Sequence, residues 1–346
     1  MFELLKRLSN AHGISGYEDE IRDIIREELE DCVDEIKVDK LGNIICIKNG
    51  REFKEMITAH IDEIGFIVKQ IDEKGFIRFA PIGGWFDQIV LGQRVVLHGK
   101  KGKIYGVIGC KPPHLMKEEE RKKVVEIRDM FIDVGASSRD EVLEMGIEIG
   151  TPITLDRELV KIGKNKVSGK ALDNRVGVAA MIEAIKNTES DATIYAVGTV
   201  QEEVGLKGAR VSAFAIEPDV ALAVDVCIAA DFPGAESAHM DISLGKGTVI
   251  TVVDASGRGI IVSKKVLNWL VETAEKYGIP YQLEVAEGGT TDATAIHLTK
   301  SGIPTGVVSI PSRYIHSPVE VIDLDDLKST SMLIARALER GEKYFG

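Results

Sequence analysis

Runs of apolar positions alternate with polar, glycine-punctuated stretches along the chain, and the period of that alternation changes twice. Near the start, Ile21, Ile24, Ile25 and Leu29 recur at the three- and four-residue spacing of a helix buried along one stripe. Ser15-Gly16-Tyr17-Glu18 reads as a capping box that opens it. Residues 33–38 and 44–47 predict strands joined by the turn Asp39-Lys40-Leu41-Gly42-Asn43. Met56-Ile57-Thr58-Ala59-His60-Ile61-Asp62 predicts a buried strand closing on a His-x-Asp pair.

From about Gly65 the texture becomes short β-like runs between glycine turns, at residues 66–71, 76–79, 94–97 and 104–108. Helical pattern there is confined to about 117–123 and 138–145, and Pro112-Pro113 breaks the chain. After Gly169 the α/β rhythm returns. Helices are expected at 173–186, 206–216, 263–277, 291–300 and 324–344, with strands at 193–200, 220–224, 248–253, 281–285 and 305–310. This order predicts an α/β catalytic domain made of residues 1–65 and 162–346, interrupted by a small β-rich domain at 66–161.

Composition narrows the function classes. The 346 residues are 44% hydrophobic and 28% charged, an ordinary globular balance with ample material for a core. A net charge of −12 and the lack of a basic cluster argue against nucleic-acid binding. No apolar run is long enough for a membrane span, and the N-terminus lacks a signal-peptide core, so a cytoplasmic protein is expected. Cys32, Cys46, Cys110 and Cys227 are scattered, as reduced thiols would be.

The run 193–200 reads as a central strand leading into Gln201-Glu202-Glu203-Val204-Gly205, which places two acids at the carboxyl edge of a sheet, where α/β folds bind ligands. His60 and Asp225 end two other expected strands, His316 follows a third, and Asp173 starts a helix. Two imidazoles and three carboxylates suit one or two borderline divalent ions such as zinc or cobalt. Charge counting favours two, because three carboxylates and a hydroxide balance two divalent cations. If one carboxylate bridges, Asp173 is the natural choice. Asp62 faces the same way as His60 and could accept its second ring N–H. Glu202, beside the ions but not on them, is placed to move a proton.

Singly, each residue has a plainer reading. Asp173 alone reads as a helix N-cap, Asp225 as a turn residue, and Thr291-Asp292 as a helix start without catalytic weight. His12, His98, His114, His239 and His297 read as structural histidines, and Trp85 as core or interface. An endoglucanase reading fails on spacing, since adjacent Glu202 and Glu203 cannot flank a glycosidic bond at the roughly 5–9.5 Å such enzymes need. A non-catalytic shell subunit would have no use for Glu202. A related amidase or carboxypeptidase is the nearer alternative.

Ala59-His60-Ile61-Asp62-Glu63-Ile64-Gly65, Ala171-Leu172-Asp173-Asn174-Arg175, Gln201 to Ala209, Val224-Asp225, Glu287 to Asp292 and Tyr314-Ile315-His316-Ser317 together resemble the signature blocks of the tetrahedral (TET) metallo-aminopeptidases. Members of that family have often been labelled endoglucanases. The match runs in order over essentially the whole chain. The resemblance implies a mixed-sheet zinc-peptidase domain carrying a PDZ-like or barrel insert for dimer contacts. It also implies two divalent metal ions per subunit, zinc or cobalt, and short peptide substrates trimmed from the N-terminus inside a dimer-based homododecamer. His60 and Asp225 would bind one ion, Glu203 and His316 the other, and Asp173 would bridge. Glu202 would be the general base and Asp62 the residue orienting His60.

Overall fold

A computed structural model describes residues 1–235 and 239–346. The chain opens with a helix the pattern reading passed over, α1 (Phe2–Asn10), whose Leu4, Leu5 and Leu8 form a buried stripe. Helix α2 (Asp19–Leu29) buries Ile21, Ile25 and Leu29, as the spacing predicts. Ser15 does not cap it. The Ser15 hydroxyl donates to Asp62 at 2.6 Å, and Glu18 accepts the Gly16 amide at 2.6 Å. The helix starts only at Asp19, with Glu18 in the N-cap position, so Ser15 lies too far back along the chain to accept a first-turn amide. Strands β1 (Glu35–Val38), β2 (Ile44–Lys48) and β3 (Arg51–His60) follow.

The insert is a closed barrel. Its elements in chain order are β4 (Gly65–Ile71), β5 (Ile77–Ile82), β6 (Arg94–Gly99), β7 (Gly102–Gly109), α3 (Glu118–Arg121), β8 (Phe131–Asp133), α4 (Arg139–Glu144) and β9 (Pro152–Leu155). The strands close in the order β4-β5-β8-β7-β6-β9. Phe66, Ile77, Val95, Leu97, Ile132 and Ile153 fill the interior, a core separate from that of the main domain. Closure leaves these short strands without open edges.

The chain then re-enters the main domain through β10 (Val160–Ile162) and β11 (Lys166–Gly169). Next come α5 (Leu172–Asn187), β12 (Ala192–Thr199), α6 (Lys207–Ile216), β13 (Val220–Ile228), β14 (Thr248–Val253), α7 (Lys264–Tyr277), β15 (Tyr281–Val285) and α8 (Ala293–Ile296). Strands β16 (Thr305–Ser312) and β17 (Glu320–Asp323) and helices α9 (Leu324–Leu338) and α10 (Gly341–Phe345) complete it. The eight-stranded sheet runs β1-β2-β12-β3-β13-β16-β14-β15. Strands β12, β3, β13 and β16 at its centre are mutually parallel. β2 and β14 lie antiparallel against that group, so the sheet is mixed.

Helix α5 is apolar nearly all round and is buried between the sheet, α1 and α9, the position such a helix requires. On the other face, α6 and α8 cover Met56, Val197 and Ala221. Three expectations are corrected. The helix expected at 291–300 is a single turn, and the closing helix is broken between Leu338 and Gly341. The strand expected to end at Asp225 continues to Ile228, so Asp225 lies inside β13, paired with Ser309.

Candidate metal centre at the strand ends

The parallel register places the singled-out side chains together. His60 ends β3 opposite Thr199 at the end of β12, so Glu202 and Glu203 lie just beyond the same rim. The His60 Nε2 atom is 3.1 Å from Asp173 Oδ1, 3.7 Å from Asp225 Oδ1 and 3.9 Å from Glu202 Oε2. His316 Nε2 is 3.3 Å from Asp173 Oδ2 and 3.3 Å from Glu203 Oε2. The two oxygens of Asp173 therefore face different imidazoles.

Local folding explains how each group gets there. The loop after β12 has no sheet partner for its amides, and side chains supply one. Val200 N–H donates to Asn43, Gln201 N–H to Glu18, and Glu202 and Glu203 N–H to the two oxygens of Asp62 at 3.0 and 3.2 Å. Asp62 thus chiefly shapes the loop carrying both glutamates. His60 Nδ1 is 3.5 Å from the Asp62 carboxylate and closer, 3.2 Å, to the Asp62 backbone carbonyl.

Asp173 is not a helix N-cap. Asp173 and Asn174 leave helical geometry inside the first turn of α5. Asn174 does the capping, its Oδ1 accepting the Gly177 amide at 3.1 Å while its Nδ2 donates to the Val224 carbonyl at 2.7 Å. That second bond ties Asp173 to the strand bearing Asp225.

Two supports went unread in the sequence. Glu320, buried at the start of β17, accepts the backbone N–H of Asp173 and that of His316, both at 2.9 Å. The only sequence signal was an acid four residues after His316. Behind Asp62, buried Glu63 pairs with Lys170 at 2.8 Å and Arg175 at 3.3 Å. Those two cations also bind the carbonyls of Leu8, Ala11 and Gly13, joining the N-terminal segment to the two segments that carry His60 and Asp173. Buried charges of this kind are tolerable only when paired with opposite charge and hydrogen bonds.

Electrostatics fits the donor set to cations. Burial raises Glu202, Glu203 and Asp225 above the usual carboxylate range, and their acidic neighbours add to it. Burial alone would lower both imidazoles, but the surrounding carboxylates reverse this: Glu202 and Asp173 hold His60 well above its ordinary value, while Asp173 and Glu203 bring His316 to about 11. Asp173 falls below its ordinary value despite burial, because His316 and His60 both bond to it. So many acids can share a buried space only with positive charge among them. Three triads, His60–Glu202–Glu203, His60–Asp173–Asp225 and Asp173–Glu203–His316, each bring one ligand atom per residue within 4.8 Å of the others.

Among the remaining histidines, His12 and His98 share the Thr154 hydroxyl at 2.6 and 2.9 Å, and His297 bonds the Ala293 carbonyl. Thr291-Asp292 opens the short helix α8 as expected, but the Asp292 side chain turns inward. It makes no side-chain cap, accepts the Thr199 hydroxyl at 2.6 Å, and leaves Oδ1 buried without a partner. Burial pushes it up to about 6. Among the described residues no helix is long and apolar enough to cross a membrane.

Comparison with known proteins assigns the class. The profile of the M42 glutamyl aminopeptidase family matches residues 42–333. A putative aminopeptidase of Acetivibrio thermocellus is 45% identical, with 98% of each chain covered. The solved aminopeptidase APDkam598 of the archaeon Desulfurococcus kamchatkensis is 48% identical with a TM-score of 0.93, covering 97% of this chain and 94% of that one. The TET1 peptidase of Pyrococcus horikoshii, which can assemble into a tetrahedron or a large octahedral shell, is 38% identical with a TM-score of 0.87, over 97% of this chain and 98% of its own. Fold and similarity together define a peptide hydrolase of the aminopeptidase class. The chain belongs to the M42 glutamyl aminopeptidase family.

Proposed function

We propose that this aminopeptidase works through a dinuclear metal centre in which His60 and Asp225 hold one divalent cation, Glu203 and His316 hold the other, and Asp173 bridges them. The observation that carries the reading is the split of Asp173, one oxygen toward His60 and the other toward His316. Zinc or cobalt suits this mixture of nitrogen and oxygen donors. Bound there, the cations would act as Lewis acids on the scissile carbonyl and lower the pKa of the attacking water.

The chain's own residues do the rest. Glu202, near His60 but outside the Asp173–Glu203–His316 group, takes a proton from the attacking water and delivers it to the leaving amine. Asp62 holds the Glu202 and Glu203 amides, so the base and a ligand keep a fixed separation. Short peptides entering by their free N-terminus are the substrates this reading supports. The insert expected at residues 66–161, which carries the barrel, serves dimer contacts, and self-association builds a homododecamer as in the TET relatives. Unpaired Cys32, Cys46, Cys110 and Cys227 suit a cytoplasmic location.

The test is a panel of aminoacyl chromogenic amides plus a β-glucan, assayed with chelator and after cobalt or zinc is restored. Metal-dependent amide cleavage with no glucan hydrolysis is expected. Full amide cleavage by thoroughly demetallated protein would overturn the reading.

A further inference from the structure

The barrel reaches the proposed metal centre at the turn after β5. Gly83 and Gly84 sit there against ligands contributed by the other domain. A Cβ added at Gly84 would lie 3.1 Å from Nδ1 and 3.4 Å from Cε1 of His316, with nothing else within 4 Å. One added at Gly83 would lie 3.5 Å from Oε2 of Glu203 and only 2.5 Å from the Ile64 side chain. Gly83 also has φ +78°, a backbone shape that side chains disfavour. Bare backbone is therefore what lets this turn close on the imidazole.

The turn is anchored as well as slim. Trp85 Nε1–H donates to the Gly65 carbonyl at 3.0 Å, and its ring stacks on Phe66 at 4.5 Å and 24°. Gly65 is where the chain leaves the His60–Asp62 rim for the barrel. Trp85 thus joins the turn that touches His316 and Glu203 to the segment that carries His60 and Asp62. The sequence reading of Trp85 as core or interface holds for its packing against the barrel core and leaves this link unstated.

We propose that Gly84 and Trp85 are positioning residues of the metal centre: the barrel, through this pinned turn, sets the place of the His316 imidazole and with it the affinity of the Glu203–His316 cation position. The proposal rests on the ligand assignment above. A ring displaced by a few tenths of an ångström moves its nitrogen by more than a metal–ligand distance tolerates. Loss of such outer support costs metal sites about 10- to 100-fold in affinity.

The experiment titrates demetallated full-length protein with cobalt(II), reading visible absorption and bound metal together. Gly84→Val and Trp85→Phe are expected to take the first equivalent as the parent does. They should bind the second about 10-fold or more weakly, with a shifted visible band. Gly84→Ala, which needs only a small adjustment of the ring, should fall between. Circular dichroism and thermal melting check the fold. Trp85→Phe keeps an aromatic ring beside Phe66 while losing the Nε1–H donor and the second ring, so it carries the test if Gly84→Val does not fold. His316→Ala separates the two ideas. If it loses one cobalt while the Gly84 and Trp85 variants match the parent in affinity and spectrum, the positioning role is wrong and the ligand assignment stands. If His316→Ala retains both cobalts, the ligand assignment itself is wrong.

Discussion

Glu320 offers a quantitative check on how the site is built. Its carboxylate accepts the N–H of Asp173 and of His316, each at 2.9 Å, and it is almost wholly buried. Glu320→Gln keeps the shape but replaces one acceptor by an NH2 group. Whichever way the amide turns, one of the two N–H groups meets another donor. Leaving a buried donor unsatisfied costs about 1–3 kcal/mol, so a loss of about 2 kcal/mol is expected. The strain falls on the backbone of one proposed ligand, so metal affinity should drop with stability. Urea denaturation of the metal-free protein and elemental analysis of the reconstituted protein measure the two effects. A midpoint and a metal content both equal to the parent would refute the argument that Glu320 ties the two ligand-bearing loops together.

Further outcomes follow from other groups. Glu202→Gln should keep full metal content and lose turnover by several orders of magnitude, and parental turnover would remove Glu202 from its role. Glu55 is fully buried with one oxygen unpartnered, and burial pushes it from 4.5 up to about 8. Folding then favours the protonated acid, so its contribution is intact below pH 4.5 and is lost as pH rises through 8, by at most about 5 kcal/mol. Thermal melts against pH should show Glu55→Gln gaining on the parent above pH 5, and parallel curves would contradict this. Deleting the insert that carries the barrel, about residues 65–161, should leave particles smaller than the parent by solution scattering, and an undiminished shell would count against its assembly role.

How far the sequence disclosed this molecule depended on whether a residue's reason lay nearby in the chain. The central strands were legible because fully buried parallel strands are continuous apolar runs, and His60, Glu203 and Asp173 stood out at the ends of periodic segments. The structure brings these together with Asp225 and His316. Long-range partners were not legible. Ser15 and Glu18 match a local cap, yet Asp62 and the Gln201 amide claim them. Glu320 sits on a four-residue strand that pairs with β11, an element too short to show a period. Lys170 and Arg175 flank Asp173 in the sequence, but only their common partner Glu63 gives them a purpose. Asp292 looked like a helix start, and its bond to Thr199 became visible only once α8 was set against the sheet.

The most direct test of the central claim is anomalous diffraction at the cobalt edge from crystals of the cobalt-loaded protein. The account predicts two peaks in each subunit, one on either side of the Asp173 carboxylate, the first beside His60 and Asp225 and the second beside Glu203 and His316. A single peak, or two peaks that do not share Asp173, would contradict it.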